Sequence, residues 1–257
     1  MWDTLIIDPM INILLLIYQT LGNNFGLAII VFTVIIRLVI LPLTLSQQRS
    51  TMKMQELQQT KRWKEIQKKY KDQKQKLQEE QLKLYQEVGF NPLGGCLPTL
   101  VQFPIIIGLY QAIIRTLATT PIQLLELADH LYDFVPNSLI PLNNTFLWMN
   151  LGQPERLYLS FIPTVGIPVL AILVVISTYL QTKLTTMPTT GDDGGQAAQM
   201  GKMMGLYMPI LLGYFAYSYA SGLALYFVAS NLIGILQYAA MGKIKLSNLI
   251  PSKKTQE

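Results

Sequence analysis

Charge is scarce in this chain of 257 residues: Asp, Glu, Lys and Arg together make up 14%, where a typical soluble domain carries about 25%. That shortage argues against an ordinary cytosolic enzyme. It also argues against a disordered binding segment, which combines low hydrophobicity with high charge. A single cysteine excludes a disulfide framework. With only one histidine beside it, no Cys/His zinc cluster can form and no metal is implied. No glycine-rich phosphate loop is present, so no cofactor is expected and the chain does not read as an enzyme.

What is abundant is apolar: hydrophobic residues make up 51% of the chain, and they fall in long runs. A bilayer core of about 30 Å takes roughly 20 helical residues. Five stretches meet that length: Phe25 to Ser46, Leu97 to Ala118, Leu157 to Gln181, Met203 to Tyr219 and Gly222 to Met241. None contains Asp, Glu or Lys. Ala220-Ser221-Gly222 separates the last two, which predicts a tight helical hairpin. The expected fold is an all-α integral membrane protein with five transmembrane helices. The first twenty residues are apolar but interrupted by Asp3 and Asp8 and lack a basic start. They read as an interfacial helix rather than a signal peptide or a sixth span.

The basic residues are sorted by loop. Residues 47 to 88 hold eleven of them: Arg49, Lys53, Lys61, Arg62, Lys64, Lys68, Lys69, Lys71, Lys74, Lys76 and Lys83. Lys183, Lys202 and the C-terminal Lys243, Lys245, Lys253 and Lys254 lie in loops of the same parity. The other side holds Arg156 against Asp3, Asp8, Glu126, Asp129, Asp133 and Glu155. The positive-inside rule then puts the N-terminus outside and the C-terminus in the cytoplasm. The resulting division is an extracytoplasmic interfacial helix (1–24), a first span (25–46), a charged cytoplasmic hairpin (47–90) and a second span (91–118). An extracytoplasmic loop with its own interfacial helix (119–156) leads to a third span (157–182). A cytoplasmic loop (183–202), the fourth and fifth spans (203–241) and a basic cytoplasmic tail (242–257) complete it.

Within the cytoplasmic segment Trp63, Ile66 and Tyr70, then Leu77, Leu84 and Val88, recur at helical spacing. They predict an antiparallel helical hairpin with a thin apolar seam. It is either a solvated stalk or a docking arm for an acidic or nucleic acid-rich partner. Outside, Glu126, Asp129, His130 and Asp133 mark one polar face of a helix expected over Ile122 to Val135, lying flat on the outer leaflet. His130 on that face reads as bland, as does Cys96 at the boundary of the second span.

Arg37 is the charge in the wrong place. It lies nine residues from Ser46, about 13 Å along a helix and therefore near mid-bilayer. A central arginine costs about 2.5 kcal/mol or more, so such residues face a bundle interior or a watery cavity. It cannot shed its proton, and no carboxylate lies in any span to pair with it. Arg115, near the outer end of its span, can snorkel. Thr33, Arg37 and Thr44 share one helix face within roughly 60°. Phe227, Ser230, Asn231, Gly234 and Gln237 share another, as groove lining or as helix-to-helix hydrogen bonding. A carboxylate about 4 Å from Arg37 gains roughly 4 kcal/mol at an effective dielectric near 20. Bringing an Asp to mid-membrane costs about 2.5–3.5 kcal/mol. Terms of similar size describe a carrier that takes in an acidic segment and releases it.

The stretch Val34 to Leu43 around the arginine, with Gly89 to Pro98, Gln102 to Tyr110, Tyr179 to Lys183 and Ser221 to Asn231, resembles the YidC/Oxa/Alb family of membrane-protein insertases, and in the same order. The resemblance implies a minimal five-span bacterial form in the inner (plasma) membrane, with a hydrophilic groove open to the cytoplasm and to lipid and closed outside. It implies that Arg37 receives the short, often acidic tail of a nascent membrane protein. Thr33, Thr44, Gln102, Gln181, Phe227, Ser230 and Asn231 are the other groove residues. Many relatives carry Trp where this chain has Phe227, so an aromatic contact survives without an indole donor. The hairpin, through Arg49, Lys53, Lys61, Arg62, Lys64, Lys68 and Lys69, would recruit the client. The implied partners are the ribosome and signal recognition particle system, the Sec translocon and the lipid bilayer, with no small-molecule substrate.

Two other functions stay open at this point. A secondary transporter for a small anion is disfavoured, because proton coupling generally needs a titratable group inside the membrane and no inverted repeat is visible. An assembly factor for membrane complexes overlaps with insertion and chaperoning.

Overall fold

A computed structural model describes residues 1–70, 73–89, 97–117, 120–136, 142–159, 162–185 and 196–240. Cys96, the basic tail (242–257) and half of the expected 183–202 loop (186–195) lie outside the described residues, as does the side chain of Gln102.

The protein is mostly helical. A π-helical turn (Asp3–Ile7) leads into α1 (Asp8–Thr20). Ile7, Ile11, Leu14 and Leu15 on its inner side are fully buried, and α1 packs on α2 (Phe25–Val39) and α6 (Leu97–Thr116). The turn into α2 uses left-handed backbone at Gly22 and Asn23. Asn24 then caps α2, its side chain accepting from the Leu27 N–H at 3.0 Å.

The first expected span does not run straight to Ser46. It breaks at Ile40, and α3 (Leu41–Gln59) departs from α2 at 60°. Pro42 lacks an N–H and crowds the preceding turn, which is the usual cause of such a bend. Beyond it, α4 (Lys61–Lys69) and α5 (Lys74–Glu87) form the hairpin. The first turn of α4 meets the last turn of α5, because Arg62 Nη1 lies 2.7 Å from Glu87 Oε2; the pair is therefore antiparallel, as the spacing predicts. Its small core joins Leu57, Trp63 and Leu84, with Ile66 and Tyr85 against them, and the Trp63 and Tyr85 rings stand 5.6 Å apart. Val88, expected in the seam, is 53% exposed: α5 ends at Glu87 and the chain turns there.

The third expected span is shorter than its apolar run. Residues Leu157–Leu159 (β3) and Ile162–Ile167 (β4) pair as an antiparallel hairpin, and α8 covers only Val169–Thr185. Pro163 and Pro168 bar a continuous helix, and Ile162, Thr164, Val165 and Ile167 are β-branched residues that suit a strand. A second small hairpin pairs β1 (Thr145–Phe146) with β2 (Met149–Asn150).

The helix expected from Ile122 to Val135 is also shorter. It is α7 (Pro121–Asp129), opened by a Thr120–Gln123 capping box. It stops there because the His130 carbonyl accepts from Asn12 Nδ2 at 2.8 Å and the Tyr132 N–H donates to Asn12 Oδ1 at 2.7 Å. The backbone has spent its hydrogen bonds on α1 rather than on the next helical turn.

The remaining helices are α9 (Gln196–Ser218) and α10 (Ser221–Ala240), joined through Tyr219 and Ala220 where the sequence places a tight hairpin. Helix α10 is the central element, packing on α2, α8 and α9. Helices α8 and α9 approach closely at Gly213, where a Cβ would lie 2.3 Å from Val175 Cγ2.

Among the described residues one helix, Ser221–Ala240, has by itself the length and apolar character to cross a membrane. The bent pair α2–α3 has them jointly, and the apolar stretches Phe103–Thr116 and Val169–Leu184 are shorter.

Candidate functional site

Helices α2, α8 and α10 converge around Arg37, in the last turn of α2. The side chain is half-buried. Its Nε donates to Ser230 Oγ of α10 at 3.0 Å, and Nη2 donates to the same oxygen. Among the described residues no carboxylate lies within ion-pairing distance of it. One turn further along α10 is Gly234. A Cβ there would lie 2.5 Å from Gln181 Nε2 of α8 and 3.8 Å from Arg37 Nη1, so the amide packs directly on the glycine with the guanidinium beside it.

The other expected groove residues divide by what they touch. Asn231 Nδ2 donates to Ser177 Oγ at 3.0 Å and to Thr178 Oγ1 at 2.8 Å; this is hydrogen bonding between α10 and α8, one of the two readings open for that stripe. Phe227 is buried beside Tyr226, ring centroids 5.6 Å apart. Thr33 is fully buried and returns its hydroxyl to the Ile29 carbonyl at 2.6 Å. Thr44 does the same with the Ile40 and Leu41 carbonyls at 2.9 and 3.0 Å. The structure thus brings Arg37, Ser230 and Gln181 together, and leaves Thr33 and Thr44 bonded within their own helices.

Arg49 and Lys53 on α3, and Lys61, Lys64, Lys68 and Lys69 on α4, are exposed. Arg62 is exposed too, and is engaged by Glu87. Lys68 and Lys69 end α4, where a helix favours cations. A cleft of about 220 Å³ between α4 and α5 is lined by both signs, Arg62, Lys69 and Lys83 with Glu65, Glu80 and Glu87, so it has no strong preference for an anion. Burial against Trp63 pushes the Tyr85 hydroxyl up to about 12.

A second polar cluster lies at the opposite end of the bundle, and periodicity gave no sign of it. Arg115, expected to snorkel, instead lies 2.7 Å from Asp3 Oδ1, with Nη1 also 3.0 Å from His130 Nε2. His130 Nδ1 lies 2.7 Å from Asp8 Oδ1. Arginine can only donate, so Nε2 accepts and Nδ1 carries the proton given to Asp8. The hydrogen bond from Arg115, together with its charge, holds the Asp3 carboxyl below the usual aspartate range. Nearby, Glu155 is 6% exposed. It accepts from Trp148 Nε1 at 3.0 Å and from the Leu170 N–H at 3.1 Å, capping α8 from a distance. Ser221 Oγ donates to the Asn150 carbonyl at 2.7 Å and fixes the start of α10.

Apolar helices around one half-buried arginine, tied at the far end by buried polar contacts, define a helical membrane protein with a polar site inside its bundle. Comparison with known proteins is more specific: the chain belongs to the 60Kd inner membrane protein family, whose pattern it matches over residues 16–248. It is 37% identical to Membrane protein insertase YidC 2 of Bacillus anthracis, over 98% of this chain and 86% of the relative. It is 33% identical to Membrane protein insertase YidC of Oceanobacillus iheyensis (94% and 84%). With Membrane protein insertase MisCA of Bacillus subtilis the identity is 36% (92% and 77%). The resemblance read from the motifs is thereby borne out, and the protein is one of the bacterial inner membrane.

Proposed function

We propose that the chain is a membrane-protein insertase and chaperone in which Arg37 receives the acidic, extracytoplasmic-bound tail of a nascent client while the client's apolar segment passes into lipid. The observation that carries this reading is the coordination of Arg37. Its guanidinium is half-buried and held by a serine hydroxyl, with no carboxylate paired to it among the described residues. A cation in that state attracts an incoming carboxylate without having to release an internal one.

Five crossings make up the expected architecture: α2 with the start of α3, then α6, α8, α9 and α10. The N-terminus lies outside, and Arg37 opens toward the cytoplasm. The exposed lysines of the hairpin recruit the client or the ribosome and signal recognition particle that deliver it, and the chain works alone or beside the Sec translocon. The names of the relatives support insertion as the activity.

The test is insertion of single-span clients with acidic tails into vesicles carrying purified protein. Arg37→Ala is expected to reduce insertion by at least about tenfold, consistent with loss of a charge-assisted contact. Arg37→Lys should retain much of it, because the site needs a positive charge more than a fork. Undiminished insertion by a stable Arg37→Ala protein would remove the arginine from the mechanism.

A further inference from the structure

A third arginine stands at the end of the bundle that carries Glu155. Arg156 directly precedes β3 and is exposed. Among the described residues no carboxylate lies within ion-pairing distance of it. Glu155, next to it in sequence, spends both carboxylate oxygens elsewhere, on Trp148 Nε1 and the Leu170 N–H. The Arg156 guanidinium carbon instead lies 5.5 Å from the centre of the Tyr217 ring, a cation–π distance. Arg156 and Tyr158 are two positions apart and share one side of the β3–β4 hairpin. A Cβ on Gly166 of β4 would lie 2.9 Å from Arg156 Cβ and 3.2 Å from the Tyr158 ring, so the bare glycine lets both lie across it. Tyr217 belongs to the last turn of α9. Behind it Leu206, Ile210 and Tyr214 are exposed, and the four fall within about 80° of one another at 100° per residue. That stripe runs about 16 Å at 1.5 Å per residue, the depth of one leaflet in a bilayer core of about 30 Å.

We propose that Arg156, Tyr158 and Tyr217 form a seat for the phosphate of an anionic outer-leaflet phospholipid, whose acyl chain lies along the Leu206, Ile210 and Tyr214 stripe of α9. The guanidinium offers paired N–H groups to two phosphate oxygens. The Tyr217 ring positions it from one face, and Tyr158, on the same side of the hairpin, adds a hydroxyl at headgroup level, where tyrosine is favoured. A zwitterionic lipid brings its own ammonium, which competes with Arg156 for the phosphate, so the seat prefers a headgroup of net negative charge. The side on which Arg156 lies is otherwise acidic in its loops, which makes this cation the natural place for such a lipid there. The inference rests on the reading that α9 crosses the membrane.

The experiment places the full-length chain in vesicles containing either phosphatidylglycerol or phosphatidylcholine with a photoreactive diazirine in the acyl chain. Label on residues 206–217 is read by mass spectrometry of the digested protein, as a ratio between the two lipids. In the wild type phosphatidylglycerol should label that stretch about tenfold more than phosphatidylcholine, the scale of a charge-assisted hydrogen bond. Arg156→Gln should bring the ratio to about one, and Arg156→Lys should keep most of it. Tyr217→Leu should lower it about threefold, the scale of an exposed cation–π contact, whereas Tyr217→Phe, which keeps the ring, should leave it level. A wild-type ratio of one overturns the proposal, as does an Arg156→Gln protein as selective as the wild type. A Tyr217→Leu protein as selective as the wild type removes the ring from the seat. A stretch labelled by neither lipid refutes the crossing of α9 itself, an outcome distinct from one labelled equally by both.

Discussion

Two arginines in apolar helices meet opposite treatment in this protein. Arg115 lies 2.7 Å from the Asp3 carboxylate and also touches His130, itself bonded to Asp8. Arg37 has a serine hydroxyl shared between two of its N–H groups, and among the described residues no acid. The first arrangement closes a structure. Its charges come from the N-terminal turn, α1, α6 and the segment after α7, and each satisfies another. The second leaves a charge oriented and incompletely answered. A partly exposed ion pair adds little net stability, but it does bind its elements to one another. A lone oriented cation gives little to folding and keeps its attraction for a ligand.

The sharpest way to break that contrast is to make Arg37 resemble Arg115. Ser230→Asp supplies an internal carboxylate at hydrogen-bond distance, and roughly 4 kcal/mol of attraction at an effective dielectric near 20 would then have to be overcome by any client. Insertion of acidic-tailed clients should drop by about two orders of magnitude, while the melting temperature in detergent stays level or rises. A variant that inserts normally would show that the unpaired state of Arg37 is incidental.

A smaller effect is expected at the closed end. Asn12 is fully buried and joins α1 to the segment after α7 through two hydrogen bonds, to the His130 carbonyl and from the Tyr132 N–H. Asn12→Ala leaves both backbone groups without that partner and should cost about 2 kcal/mol. It would be read as a lowered melting temperature with insertion of acidic-tailed clients preserved. Loss of that insertion would mean the two ends are coupled.

The smallest effect is a pH dependence. The Asp3 carboxyl is depressed by its contact with Arg115. Its contribution is therefore present above the unfolded value of about 3.8 and is lost only as pH falls through the lower folded value. Hydrogen exchange in residues 3–20 should stay slow from neutrality down to about pH 4 and quicken below it. An early rise, between pH 7 and 5, would remove the Asp3 carboxylate from the tie.

The two ends also differed in how far they could be read from the sequence. Arg37 was visible because one charge in an apolar run is a local anomaly, and the Trp63, Ile66 and Leu84 seam because helical spacing is local too. The closed end was invisible for the same reason: His130 and Asp8 are 122 positions apart, and Asn12 and Tyr132 are 120. Only the packing of α1 across α6 brings them together. The β3–β4 hairpin was missed because an apolar run does not by itself distinguish strand from helix; Pro163, Gly166 and Pro168 were the available signal. Asn231 was correctly placed on a polar face, but its bonds to Ser177 and Thr178 show that face partly spent on α8. Ser230, its neighbour, is the residue that reaches Arg37.

The bend at Ile40 has a mechanical meaning. Helix α3 runs 19 residues from that point, about 28 Å at 1.5 Å per residue, and ends where the charged hairpin begins. It is a lever whose fulcrum lies within one turn of Arg37. Each degree of rotation about that fulcrum moves the far end of α3 by about half an ångström, given that length. A displacement at the hairpin end would act through the long arm while the arginine lies on the short one, so a wide movement there would reach the guanidinium as a small one.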